Sequence, residues 1–192
     1  MAEKGMSVPT AQVDLAAGEQ FSEAYRAINP RCAVPSLVLD NGVAICEVLA
    51  ICRYIEEIQP EPRLLGSSPE DKAIVTMWER RMEIDGFFAV AEAVRNSFPG
   101  LRGRALVGPH TYEQIPALAD RGRQRTLDFF RDLDARLADA PFVAGKSFSI
   151  ADITAMVTID FAASRIKLVV PDEYKALKRW RDAVSARPSM KA

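Results

Sequence analysis

The sequence lacks any apolar run close to the roughly 20 residues of a membrane-spanning helix. Its first residues, Met1–Gly5, contain no apolar core of a secretory signal peptide. Its 25 basic and 26 acidic residues leave a net charge of -1, so we expect no concentrated basic surface for nucleic acid or an anionic membrane. These absences predict a cytoplasmic protein with neither nucleic acid nor membrane as a partner.

Cysteine and histidine are also scarce. The three cysteines, Cys32, Cys46 and Cys52, are an odd number without metal-like spacing, which favours a reducing compartment and predicts no metal site. His110 is the single histidine. It follows Gly108-Pro109 in a predicted loop and has no partner for a catalytic triad, so we assign it no role.

The first third of the chain mixes two periodicities. Thr10–Leu15 alternates small or apolar residues with polar ones, which predicts a strand. Phe21–Ile28 has the pattern of a short amphipathic helix, ending at Asn29-Pro30 because the residue before proline avoids the helical region. Val34–Leu39 is a second predicted strand.

A turn and a helix follow that strand. Asp40-Asn41-Gly42 predicts a tight hairpin, with Val43–Ile45 as the returning strand. From Glu47 onward, apolar residues recur at helical spacing: Ile51, Tyr54, Ile55 and Ile58. We therefore expect an α/β domain over residues 1–59 and a linker over residues 60–68.

The remainder, residues 69–192, predicts an all-helical domain. Ser68 and Pro69 have the pattern of a helix start, and this helix should run towards Val94. A long helix follows with one buried stripe: Thr126, Phe129, Phe130, Leu133 and Leu137. Two more helices are expected over residues 149–163 and 173–186, the first opened by a Ser149/Asp152 capping box.

Several motifs together resemble the cytosolic glutathione S-transferases. In the amino-terminal part these are Asn29-Pro30, Val34-Pro35, Asn41-Gly42, Glu47-Val48, Ala50-Ile51 and Tyr54; in the helical part they are 142–146, 149–152 and 187–189. Order and spacing agree over essentially the whole chain. The resemblance implies an α+β, mostly α architecture: a truncated thioredoxin-like domain followed by the family's all-helical domain.

The resemblance also implies a glutathione-binding site at Val34, Pro35, Glu47 and Val48. A cis Pro35 would turn the Val34 backbone towards the cysteine of glutathione. The N–H and C=O of Val34 would then pair with the ligand as with a neighbouring β-strand. Glu47 would pair with the ligand's α-amino group, and the helix start at Val48 would face the γ-glutamyl carboxylate. The alternatives are a plain strand start at Pro35 and a helix-capping acid at Glu47.

Three positions depart from the family's pattern. Val48 stands where serine is usual, and Cys32 stands where glycine is common. Ala33 occupies the place of a lysine that faces the glycine carboxylate of glutathione. Arg31 is either its substitute or a solvated loop residue.

The resemblance further implies that a first strand and most of a first helix are absent before Glu3-Lys4-Gly5. That strand carries the tyrosine, serine or cysteine that activates the thiol, so the catalytic residue is unknown. Without it, Thr10–Leu15 should be displaced or paired differently. Cys32 and Cys46 are either packed or reactive thiols, while Cys52 is expected in the core.

Two further groups leave their roles open. Tyr112 and Arg95 would face an acceptor-substrate pocket or lie on a surface or dimer contact. An apolar band would line a hydrophobic site or serve packing: Met77, Trp78, Met82, Phe87 and Phe88.

The leading functional hypothesis is a transferase that conjugates glutathione, its co-substrate, to a hydrophobic electrophile. The resemblance implies a homodimer. The alternatives are a non-catalytic binding protein and a glutathione-dependent thiol–disulfide reductase that uses an exposed cysteine such as Cys32.

Overall fold

The computed structural model describes residues 1–191. Contacts divide the chain into two compact units: residues 1–62 with 103–113 form the first, and residues 63–102 with the chain from 114 onward form the second. None of the helices within the described residues is long and apolar enough to cross a membrane.

The first unit combines short helices with one hairpin. Its regular elements are two 3-10 turns (Ala2–Lys4 and Glu19–Phe21), α1 (Glu23–Ile28), β1 (Ser36–Val38), β2 (Ala44–Cys46) and α2 (Val48–Ile58). The predicted helices are therefore present. α1 begins two residues later than predicted because Ser22 caps it, its hydroxyl accepting from the Tyr25 N–H.

The strand predicted for Thr10–Leu15 is wrong. Those residues form no ladder, and the sheet among the described residues has two strands, β1 and β2. The Asp14 carboxylate instead accepts from the N–H groups of Ala16 and Ala17, both at 2.9 Å. Such local side-chain bonds compete with strand pairing, so an alternating pattern without a partner strand does not suffice.

The predicted hairpin is present, with a slightly longer turn. The Gly42 N–H donates to the Leu39 carbonyl at 2.8 Å, and the Leu39 N–H donates to the Val43 carbonyl at 2.9 Å. Gly42 has φ 84°, which fits a turn followed by one left-handed residue. β1 is shorter than predicted, and Pro35 has no N–H to extend its ladder.

The second unit is all-helical, as predicted. Its elements are α3 (Pro69–Arg81), a π-helical turn (Met82–Phe87), α4 (Phe88–Ser97), α5 (Pro116–Asp139), α6 (Ile150–Phe161), a second π turn (Ala162–Ile166) and α7 (Lys175–Ser185), with short 3-10 turns at Pro99–Leu101 and Pro188–Lys191. The five residues of the predicted α5 stripe are all buried, none more than 3% exposed. The helix predicted towards Val94 is helical throughout, with a π turn where Gly86 packs against the Phe129 ring.

The predicted capping box at α6 is present and has further partners. Asp152 accepts from the backbone N–H groups of Ser149 and Val143, each at 2.9 Å, and from the Trp180 indole at 2.8 Å. The residue is fully buried. Burial raises the pKa of its carboxyl group, while these donors oppose that rise.

Candidate functional site

The four predicted site residues meet at the open end of the hairpin. β1 and β2 pair antiparallel with Ser36 opposite Cys46. This is the last pair of the ladder, and Pro35 and Glu47 are the residues next to it in the sequence, followed by Val34 and Val48. Antiparallel partners have Cα atoms about 4.5–5.5 Å apart, so the Ser36–Cys46 pair brings the two chain segments that carry these dipeptides to the same end of the hairpin.

This corner is open to solvent. Val34 is 42% exposed and Val48 is 56% exposed, and Pro35 and Glu47 are exposed as well. The Val34–Pro35 bond is cis, as the resemblance implies. The Val34 N–H donates to no residue within the described chain. Exposed donors of this kind bind a ligand without first breaking an internal bond.

Glu47 has an unusual backbone conformation for its residue type. Its φ is 121° and its ψ is 125°, immediately before the first turn of α2. Positive φ strains a residue with a side chain by about 1–3 kcal/mol and is concentrated at functional sites. Its carboxylate caps no N–H of α2 and bonds to no other described residue, so it is available to a ligand.

The charges at this corner suit a group that carries both an amine and a carboxylate. The first N–H groups of α2 have no partner within the helix, and the helix dipole makes this end positive. They attract an anion, whereas the Glu47 carboxylate attracts a cation. An amino-acid head group presents both charges within a few ångströms.

The segment before Val34 is fixed by Asn29, which is 2% exposed. Its side-chain oxygen accepts from the Arg31 N–H at 3.0 Å, and its carbonyl accepts from the Cys32 N–H at 2.9 Å. Cys32 adopts φ 53°, a left-handed conformation that glycine adopts more readily than a residue with a side chain. Its sulfur is packed near the Pro30 carbonyl, and the residue is 4% exposed.

The other predicted candidates in the first unit do not converge on the corner in one cluster. Arg31 is exposed, and its side chain has no partner within residues 1–191. Ala33 and Cys46 are half-buried, with the Cys46 sulfur 3.8 Å from the Ile28 carbonyl. Cys52, expected in the core, is only half-buried, because α2 has a single fully buried residue, Ile55.

Residues 103–113 were predicted as part of the helical domain but group with the first unit. An isolated bridge pairs Arg104 with Tyr112, and the Arg104 guanidinium lies 5.9 Å from the Phe21 ring centre. A Cβ on Gly108 would lie 3.9 Å from the Arg31 carbonyl. Only the glycines of this stretch hinted at such a structured loop.

The predicted apolar band in the second unit divides into packed and exposed members. Met82 is buried, and the Phe87 ring stacks on Phe161 at 5.5 Å. Met77 and Phe88 are 42% and 47% exposed. The Trp78 ring lies between two guanidinium groups, at 4.8 Å from Arg81 and 4.4 Å from Arg136.

A groove of about 400 Å³ runs beside Trp78. Its apolar lining is Trp78, Met82, Phe129 and Leu133, and its charged lining is Arg81, Asp85, Arg125, Asp128 and Asp132. Charged groups of both signs therefore lie around an apolar lining. We refer to these nine residues as the Trp78 groove.

Comparison with known proteins agrees with this architecture. The profile of the glutathione S-transferase N-terminal domain matches residues 1–58, and that of the C-terminal domain matches residues 80–188. Glutathione S-transferase 2 of Saccharomyces cerevisiae is 36% identical over 194 aligned residues, which cover all of this chain and 80% of the yeast protein. The chain belongs to the glutathione S-transferase family.

Solved glutathione S-transferase structures superpose closely on this family member. Gtt2 from Saccharomyces cerevisiae gives a TM-score of 0.89 at 35% identity, over 99% of this chain and 89% of that one. A glutathione S-transferase domain-containing protein from Marinobacter aquaeolei gives 0.90 at 32% identity, over 98% and 90%. The fold is therefore a thioredoxin-like domain with a small sheet followed by the helical glutathione S-transferase domain.

Proposed function

We propose that this chain is a glutathione transferase, which joins the thiol of glutathione to an apolar electrophile. Members of its family bind glutathione. The observation that supports the proposal is the hairpin register, because its last pair, Ser36 with Cys46, brings Val34-Pro35 and Glu47-Val48 to the same exposed end of the hairpin. The corner therefore combines the unpaired Val34 N–H with a negative group, the Glu47 carboxylate, and a positive one, the N-terminal end of α2.

Each part of the corner then has one partner on glutathione. The Val34 N–H and carbonyl pair with the cysteine of the ligand as a neighbouring strand would. The first N–H groups of α2, beginning at Val48, bind the γ-glutamyl carboxylate. The Glu47 carboxylate binds the adjacent α-ammonium group as a charge-assisted hydrogen bond.

The reaction proposed at this site is nucleophilic attack by the bound thiolate. The thiol releases its proton to solvent and its sulfur forms a bond to an electrophilic carbon of the second substrate. In a substitution the leaving group departs with the bonding electrons; in an addition the electron pair of the double bond moves to the neighbouring atom, which takes up a proton. The corner residues contribute by holding the sulfur in one position. We assign thiol activation to no residue of this chain.

Burial argues against the reductase hypothesis. A glutathione-dependent reductase of disulfides needs an accessible cysteine whose thiolate attacks the disulfide. Cys32, the nearest cysteine to Val34 in the sequence, is 4% exposed. Cys32 is therefore disfavoured as the attacking thiol, whereas Cys46 and Cys52 are half-buried.

The same proposal includes a cytoplasmic homodimer. In a twofold interface each patch meets its own copy, so opposite charges on one patch find partners on the other. The Trp78 groove has this property, with two arginines and three aspartates around an apolar floor. Met77 and Ile84 are 42% and 41% exposed. They lie four residues before and three residues after Arg81, a spacing that puts side chains on the same side of a helix, so they add exposed apolar surface beside the groove.

Binding and conjugation by the Glu47→Gln variant test the catalytic proposal. We expect the wild-type chain to bind glutathione and the variant to bind about tenfold more weakly, because one charge-assisted bond is lost. Glu23→Gln, at an exposed position on α1, is the matched control and should bind normally. Equal affinity of Glu47→Gln and wild type would refute the assigned corner.

Sedimentation velocity tests the homodimer. Wild-type protein should sediment as a dimer, and Met77→Glu should shift it towards the monomer because it places a charge beside the apolar floor. Val157→Glu, at a residue of α6 that is 50% exposed, should leave the dimer intact. A monomeric wild type, or a dimer insensitive to Met77→Glu, contradicts the interface.

A further inference from the structure

Tyr25 reaches from α1 to the segment that precedes Pro35. We infer that its hydroxyl is a positioning group for glutathione: it sets the direction of the Val34 N–H without touching the ligand. This inference rests on the proposed function. It concerns a residue that the sequence pattern of the corner does not include.

Four polar groups form a closed ring of hydrogen bonds here. The Tyr25 hydroxyl donates to the Ala33 carbonyl at 2.7 Å and lies 3.1 Å from Ser36 Oγ. The Asn29 side-chain amide donates to the same carbonyl at 2.7 Å and to the same hydroxyl at 3.3 Å. Because the single Tyr25 proton is used on Ala33, the Ser36 hydroxyl donates to Tyr25.

The ring matters because the Ala33 carbonyl and the Val34 N–H belong to one peptide unit. That unit is planar and trans, so the carbonyl and the N–H point in opposite directions; the cis bond lies one residue later. Two donors that hold the Ala33 oxygen towards α1 therefore hold the Val34 N–H away from α1. The direction of the Val34 N–H, the donor proposed for glutathione, is therefore set by the hydrogen bonds to the Ala33 carbonyl at the opposite side of the same peptide unit.

The ring also spans Pro35. Ala33 lies two residues before it and Ser36 one residue after it, and both are held by the same two side chains of α1 and its C-cap. The segment that carries Val34 is thus fixed at both ends. Neither Tyr25 nor Asn29 is exposed, so water does not compete freely for these bonds.

Tyr25→Phe is the test, because it deletes the hydroxyl and keeps the aromatic side chain. We expect the dissociation constant and KM for glutathione to rise about three- to tenfold, the effect of one net hydrogen bond, while kcat at saturating glutathione stays near wild type. Tyr54→Phe is the matched control. Tyr54 is equally half-buried in the same unit, its hydroxyl has no partner within residues 1–191, and its loss should change neither constant.

Hydrogen exchange of residues 31–38 without ligand provides a second measurement. The segment should exchange faster in Tyr25→Phe than in wild type or Tyr54→Phe, while α5 exchanges unchanged. Normal affinity in Tyr25→Phe, or a fall in kcat together with faster exchange throughout the chain, overturns the positioning role and leaves the proposed function intact. A wild-type chain that fails to bind glutathione overturns both.

Discussion

The two units of this protein are stabilised by different means. Every member of the buried apolar cluster belongs to the helical unit. In the first unit the fully buried apolar residues, among those described, are Cys32, Ile55 and Ala105. Polar contacts of Lys4, Tyr25 and Asn29 tie its segments together instead. The helical unit therefore relies on area removed from water, and the first unit relies on a few specific bonds.

This difference bears on function. A surface that recognises a peptide by its main chain must leave backbone groups exposed, and exposed backbone cannot also be covered by a large core. Single polar side chains then fix the geometry of such a surface. The deletion of one of them should therefore destabilise only the nearby segment. In the helical unit, a comparable removal should affect the whole packed cluster.

The largest effect is expected where a polar group lies inside the apolar core. Asp152→Ala would leave the donors of Ser149, Val143 and Trp180 unpaired in the interior. We expect the free energy of unfolding of the helical unit to fall by about 5 kcal/mol, measured by urea denaturation monitored by circular dichroism. Asp120→Ala, at an exposed position of α5, should change it little. Similar midpoints for both variants would contradict this account of the core.

A smaller effect, confined to the first unit, is expected from Lys4→Met. The Lys4 ammonium lies 2.7 Å from Glu56 and from the Gln59 carbonyl, and 2.8 Å from the Pro62 carbonyl. It therefore neutralises the C-terminal end of α2. Its loss should cost about 3 kcal/mol, seen as faster hydrogen exchange of residues 48–58.

The control for Lys4→Met is Lys72→Met, at an exposed position of α3. It should leave exchange in both units unchanged. If Lys4→Met instead accelerates exchange of α5 as much as that of α2, the two units are not stabilised independently and the comparison fails.

The smallest effect concerns pH. Glu79 is 6% exposed, and burial, followed by the charge of Glu83, raises the pKa of its carboxyl group above the ordinary value of 4.5. The unfolded chain then loses its proton first, so the stability that this raised pKa contributes is lost as pH rises from about 4.5 through the folded value. Thermal midpoints of Glu79→Gln should fall less with pH than those of wild type.

Glu70→Gln is the control for this titration, since Glu70 is exposed in the first turn of α3. Its midpoint should follow the wild-type pH dependence. Parallel curves for wild type and Glu79→Gln would show that Glu79 does not titrate in this range.

The sequence predicted the helices and the hairpin turn because their signals are local. The α5 stripe, the α6 cap and the Asn41-Gly42 turn each depend on neighbours within a few residues. Thr10–Leu15 was mispredicted because a strand needs a distant partner, which an alternating pattern does not specify. The sequence did not reveal the hydrogen bonds of the Tyr25 hydroxyl or the grouping of residues 103–113 with the first unit. Both depend on tertiary contacts.

The central claim is that glutathione binds by its main chain and its γ-glutamyl end at one corner of the first unit. The most direct test is titration of ¹⁵N-labelled protein with glutathione, followed by amide chemical shifts. We predict saturable shifts largest at the Val34 and Val48 N–H groups. Saturable shifts that spare both residues, or no shifts at millimolar glutathione, would contradict the claim.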